Sequence, residues 1–114
     1  MNDTTVVALQ SMLRGLSARQ RVISDNLANL ETPGFTAHKV QFEGALSAAL
    51  EAGESPDVNP TIVASGDPYL PNGNNVSVDQ EIINLQDTGL AYDLAVEAIN
   101  AKFTLLRTSM KSTI

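Results

Sequence analysis

The sequence predicts a mainly α-helical protein whose long N- and C-terminal helices pair as an antiparallel, coiled-coil-like hairpin around a loop-rich middle of little regular structure. Three observations predict it. Apolar residues recur at alternating steps of three and four near the start of the chain. They recur in the same way, over a longer stretch, at its end. Between the two, Pro56, Pro60, Pro68 and Pro71, with Gly53, Gly66 and Gly73, interrupt any long periodic element. The chain divides accordingly into 1–31, 32–76 and 77–114.

The first stripe is Val6, Leu9, Leu13, Leu16, Gln20, Ile23, Leu27 and Leu30, a 3.5-residue repeat with one polar member. Pro33 disfavours helix at Thr32, and Pro33-Gly34 has the chemistry of a type II turn, so the helix is expected to end near Leu30 or Glu31.

The last stripe is Val78, Ile82, Leu85, Gly89, Tyr92, Val96, Ile99, Phe103, Leu106 and Met110. Ser77-Val78-Asp79-Gln80 fits a capping box at its start. Asp79, Glu81, Asp87, Asp93 and Glu97 occupy its front half and Lys102, Arg107 and Lys111 its back half, complementing the helix dipole.

In the middle, Gln41 to Ala52 is a candidate short helix with Phe42, Leu46 and Leu50 on one side, and Thr61 to Ala64 a candidate strand. Six acidic residues against Lys39 alone make this segment acidic, and it reads as a solvated, mobile insert in which Glu51, Glu54 and Asp57 form a loop.

An antiparallel hairpin places Arg21, Arg19 and Arg14 near Asp87, Asp93 and Glu97, a pairing that selects orientation more than it stabilises. The last helix also carries a second apolar line: Ile83, Leu90, Leu94, Ala98, Ala101 and Leu105. One partner helix covers one seam, so either the middle segment folds over this line or neighbouring subunits cover it; the second reading is preferred.

The chain has 114 residues, no cysteine, few aromatics and a net charge of -6. That charge argues against nucleic acid and against electrostatic attachment to anionic lipid. No apolar run suits a membrane span, which argues against direct membrane insertion, and the N-terminus lacks the pattern of a cleaved signal. His38 stands alone without a ligand cluster, and neither a nucleophile elbow nor a phosphate-binding glycine loop occurs, so no catalytic, metal or cofactor site is expected.

The stretch 19–35 contains Ile23, Asn26, Leu27, Ala28, Asn29, Thr32, Pro33, Gly34 and Phe35 in the order I-x-x-N-L-A-N-x-x-T-P-G-F. This closely resembles the N-terminal signature of flagellar rod and hook proteins. The segment 39–46, the short chain and the stretch 74–79 before the last helix resemble its proximal-rod members. The likeness spans both terminal helices and the turn, about two thirds of the chain. It implies a structural subunit that polymerises through its terminal helices into the drive shaft between membrane ring and distal rod. By the same resemblance the chain passes unfolded through the flagellar type III export apparatus without a cleaved signal and assembles in the periplasmic basal body. The partners so implied are other copies, other rod proteins, the membrane-ring protein and the adaptor at the rod base. The rival reading is a soluble helical-hairpin adaptor or secretion chaperone.

Single residues carry paired readings. Asn26 and Asn29 lie beside the first seam, either solvated near the helix end or bonded to the following turn or a neighbouring subunit. Gln20 either fixes register or sits at a solvated gap. Gly89 suits close helix approach, with a bend or an unfolding-prone point as the alternative.

Overall fold

The computed structural model describes residues 3–112. Helix α1 spans Thr4–Ala28, strand β1 His38–Gln41, helix α2 Glu43–Ala52, strand β2 Thr61–Ala64 and helix α3 Val78–Ser112. At 1.5 Å per residue, the 25 residues of α1 measure about 37 Å and the 35 of α3 about 52 Å.

α1 begins at Asp3, whose carboxylate accepts from the Thr5 amide (2.7 Å). It ends two to three residues before the expected point. Asn29 leaves helical geometry, its amide still reaching back to Asn26 O (3.1 Å), and residues 29–31 form a turn. The Phe35 amide then donates to Thr32 O (3.3 Å) with Gly34 at φ 74°, as a type II turn with Pro33 at its second position requires.

The terminal helices are antiparallel, and polar contacts fix both ends. Lys102 Nζ lies 3.0 Å from Asp3 Oδ2, and Asn26 Nδ2 donates to Glu81 Oε2 (3.2 Å). α3 continues past Lys102 for residues 103–112 as an overhang beyond the start of α1.

The middle of the chain is more ordered than expected. β1 and β2 pair antiparallel, from His38↔Ala64 to Gln41↔Thr61, with α2 inside their connection. β2 falls on the expected Thr61–Ala64 and α2 on the expected helix without its first two residues, Gln41 closing β1, a strand that the sequence pattern does not mark. This layer packs along α1 beside α3, and β1 faces the start of α3 across a cleft lined by Ile23, Val40, Glu81 and Thr88. The core joins all layers: Leu16 and Ala18 of α1, Val40 of β1, Phe42 at the start of α2 and Ala95 of α3. Each large apolar side chain so buried contributes about 1.5–3 kcal/mol before entropy.

The three arginines of α1 do not meet the acidic run of α3. Arg14 pairs with Asp57 (2.6 Å), and Arg19 grips Glu43 through both carboxylate oxygens (2.6 and 2.7 Å) while its guanidinium lies 5.0 Å over the Phe42 ring. Arg21 bonds Ser17 of its own helix (3.0 Å). The middle segment supplies nearer acids because it, and not α3, lies along that side of α1. The capping box is also not formed: Gln80 donates to Asn84 (2.9 Å), one turn ahead, in place of reaching back to Ser77.

Gly15 makes the α1–α2 approach possible. A Cβ built there falls among the ring atoms of Phe42, which is itself buried and roofed by Arg19. Alanine raises intrinsic helix stability by about 1 kcal/mol, whereas overpacking costs about 1–3 kcal/mol. Gly15→Ala is therefore expected to lower Tm by several degrees, and a thermal melt followed by circular dichroism that shows an unchanged or higher Tm refutes the contact.

Candidate functional site

Without a catalytic constellation, the candidate site is the set of helical faces and the turn that joins them. On α1 the expected seam is covered throughout: Val6, Leu16 and Ile23 are buried, and Leu9, Leu13, Gln20, Leu27 and Leu30 are half-buried. Gln20 thus sits at the margin of a packed face.

On α3 the face turned inward differs from the expected one. Glu81, Thr88, Ala95 and Ile99 are buried, with Asn84, Ala91 and Lys102 half-buried beside them. Apart from Ile99 this line runs one residue ahead of the expected seam, a rotation of about 100°. Of the expected positions, Ile99 is buried, and Gly89, Tyr92, Val96 and Leu106 are half-buried. Val78, Ile82, Leu85, Phe103 and Met110 are exposed. The physical reason lies at the two ends of the pair, where Asn26–Glu81 and Asp3–Lys102 set the rotation of α3 and turn its small residues toward α1. A Cβ at Gly89 would meet open space, so close helix approach does not account for that glycine.

The second apolar line is uncovered. Ile83 is 50% exposed, Leu90 62%, Leu94 57% and Leu105 62%, and Ala98 and Ala101 are exposed between them. The middle segment does not fold over it.

The motif residues form a hydrogen-bonded joint. Asn26, 1% exposed, donates to His38 O (2.8 Å) and accepts from the His38 amide (3.1 Å), tying α1 to the start of β1. Asn29 donates to Asp25 O (2.8 Å) and accepts from the Thr32 hydroxyl (3.1 Å). Phe35 is half-buried, its ring edge-on to His38, while Ala28, Thr32, Pro33 and Gly34 are exposed. Asn74 and Asn75 complete the joint. Asn74, 0% exposed, donates to Asn29 O (2.9 Å) and Thr32 O (2.8 Å), and Asn75 accepts from the Ala37 amide (2.6 Å) and donates to Asp67 O (3.1 Å). Sequence reasoning treated Asn74 and Asn75 only as the approach to α3; their turn-forming residue type is the one signal that could have singled them out. Ser11, also missed, is 0% exposed, donates to Pro56 O (2.6 Å) and accepts from the Val58 amide (3.0 Å).

Two carboxylates of this framework titrate in opposite senses. Arg19 holds the Glu43 carboxyl below its ordinary range, and burial pushes the Glu81 carboxyl above it, only partly offset by the Asn26 amide.

Residues 9–36 match the family described as flagella basal body rod protein. The flagellar basal body rod protein FlgB of Bacillus subtilis (strain 168) is 39% identical, over 91% of this chain and 91% of its own length. The chain belongs to the FlgB family of flagellar basal body rod proteins. FlgB of Borreliella burgdorferi is 33% identical over 69% of this chain and 75% of its own length, and FlgB of Escherichia coli (strain K12) 22% over 88% of each. The FlgB family is structural, not enzymatic. The matched residues 9–36 contain most of α1 and the whole turn, including Asn26 and Asn29 of the joint. No helix among the described residues is long and apolar enough to cross a membrane.

In this FlgB-family chain the Glu81 carboxyl, raised when folded, binds its proton more tightly in the native state. Its contribution to stability is therefore greatest at low pH and is lost as pH rises through the folded pKa. Glu81→Gln keeps an acceptor for Asn26 and removes the buried charge, so it is expected to raise Tm at pH 7 and leave it nearly unchanged at pH 3. Equal shifts at both pH values would contradict this. Asn26→Ala strands the His38 backbone groups at a cost of about 1–3 kcal/mol, read as a clear loss in denaturant midpoint.

Proposed function

We propose that the chain is a structural subunit of the proximal flagellar rod, which polymerises through its terminal segments 1–31 and 77–114. The observation that carries this reading is the uncovered apolar back of α3, together with the exposed Val78, Ile82 and Phe103 on its flank. Exposed lines of this length are a hazard for an isolated protein and an asset for one whose neighbours bury them. The exposed residues singled out along α3 are the contacts proposed to close the rod wall, and those along α1 hold α3 in place behind them. Other copies of the chain and other rod proteins are its immediate partners. The membrane-ring protein and the adaptor at the rod base, the flagellar type III export apparatus and a periplasmic position complete the reading. The rival soluble adaptor or chaperone gains nothing from the family relation.

A flagellated bacterium deleted for its own FlgB tests the proposal. Expression of the chain is expected to restore rods in isolated basal bodies and swimming in soft agar. Ile83→Glu with Leu90→Glu, both at exposed positions, is expected to keep helix content by circular dichroism and abolish swimming. A double variant that swims like the parent would remove the back of α3 from rod assembly.

A further inference from the structure

The line Leu90, Leu94, Ala98, Ala101 and Leu105 is nearly palindromic in size: leucines outside, alanines inside. The charges of α3 are antisymmetric in sign. Its acidic residues end at Glu97 and its basic residues begin at Lys102. Asp93, Glu97, Arg107 and Lys111 fall within about 80° of one another around the helix, along one flank of the apolar line. Among the described residues none of the four is in an ion pair.

We infer that a second copy of the chain covers this line when the chain is outside the rod, packing α3 against α3 antiparallel about a two-fold axis near Asn100. Within one helical turn, that axis sets Leu94 opposite the partner's Leu105 and Ala98 opposite the partner's Ala101. On the flank it sets Asp93 opposite the partner's Arg107, with Glu97 about one turn along from the same arginine. The alanines at the centre allow close approach of the two helices, and the leucines close both ends. A parallel two-fold pair would instead set this flank against the partner's opposite flank, where its charges meet no complement, so charge selects the antiparallel form. Leu90, Leu94, Ala98, Ala101 and Leu105 are all exposed, so neither α1 nor the middle layer covers this face.

The contact is small. From Leu90 to Leu105 it measures about 22 Å, and one helix pair of that length buries less than the roughly 1,600 Å² of a standard stable interface. A weak association, in roughly the micromolar range, is expected. A two-fold contact is closed: it satisfies both copies and offers no site for a third. A rod is polar and needs head-to-tail contacts, so the pair competes with growth and holds free subunits back from uncontrolled polymerisation.

Sedimentation velocity of the full chain against concentration, with circular dichroism to confirm folding, tests the pair. The parent is expected to pass from monomer to dimer and stop there. Asp93→Lys with Glu97→Lys, and separately Arg107→Glu with Lys111→Glu, are each expected to weaken self-association at least about tenfold, because each leaves one sign of charge along the flank. Mixing the two variants in equal amounts is expected to restore a dimer, since each then meets its complement. Direction is read by cross-linking, which the absence of native cysteine makes clean. Leu94→Cys mixed with Leu105→Cys should join, and Leu94→Cys alone should not. A parent monomeric at 200 μM, open-ended growth in place of a dimer, a reversed variant that dimerises like the parent, or self-joining of Leu94→Cys each overturns the inference. None of these outcomes bears on whether the chain restores rods in the deletion strain, so the two proposals fail separately.

Discussion

Side-chain amides fix where the middle of this chain lies. Asn26, Asn74 and Asn75 are buried, and each bonds loop or strand backbone. Loops carry more unpaired backbone groups than a small apolar core can shield, and a buried amide satisfies two or three of them at fixed geometry. The rest of the architecture depends on this joint. It commits one side of α1 to the β1–α2–β2 layer and leaves the other to α3, and through Asn26 and Glu81 it sets the rotation at which α3 packs. With the apolar faces of α1 covered, the apolar surplus of the molecule collects on the outward side of α3.

Much of this was legible in the sequence. Both long helices follow from alternating steps of three and four. The type II turn follows from a proline and glycine that only a few backbone conformations accommodate. The phase of α3 was not legible, because apolar residues stand on more than one of its faces and periodicity alone does not say which one a partner takes. That choice is made by polar pairs between residues far apart in the chain, Asn26 with Glu81 and Asp3 with Lys102. β1 was hidden for a different reason: four residues with only Val40 buried offer no alternation to detect.

The charge pattern was read correctly as a pattern and wrongly as a contact. Arg14 and Arg19 do hold acidic partners, but these are Asp57 and Glu43, brought close by a layer expected to be a mobile insert. Exposed pairs of this kind contribute about 0–1 kcal/mol each, so they follow the fold and do not decide it. Packing on the α2 side is governed by a single hydrogen atom: Gly15 lacks the carbon that would hold Phe42 away. A glycine inside a helical repeat carries that meaning only once its neighbour is known.

The ion pair between Asp3 and Lys102 links residues from opposite ends of the polypeptide. Contacts of such wide separation must await nearly complete synthesis, and closing so large a ring of chain slows the search for the native state. α1 can meet its β1–α2 layer early, yet α3, the longest element, arrives last. A newly made molecule therefore spends its vulnerable interval with one flank of its first helix bare, and a chain cut before α3 would leave that flank without its mate.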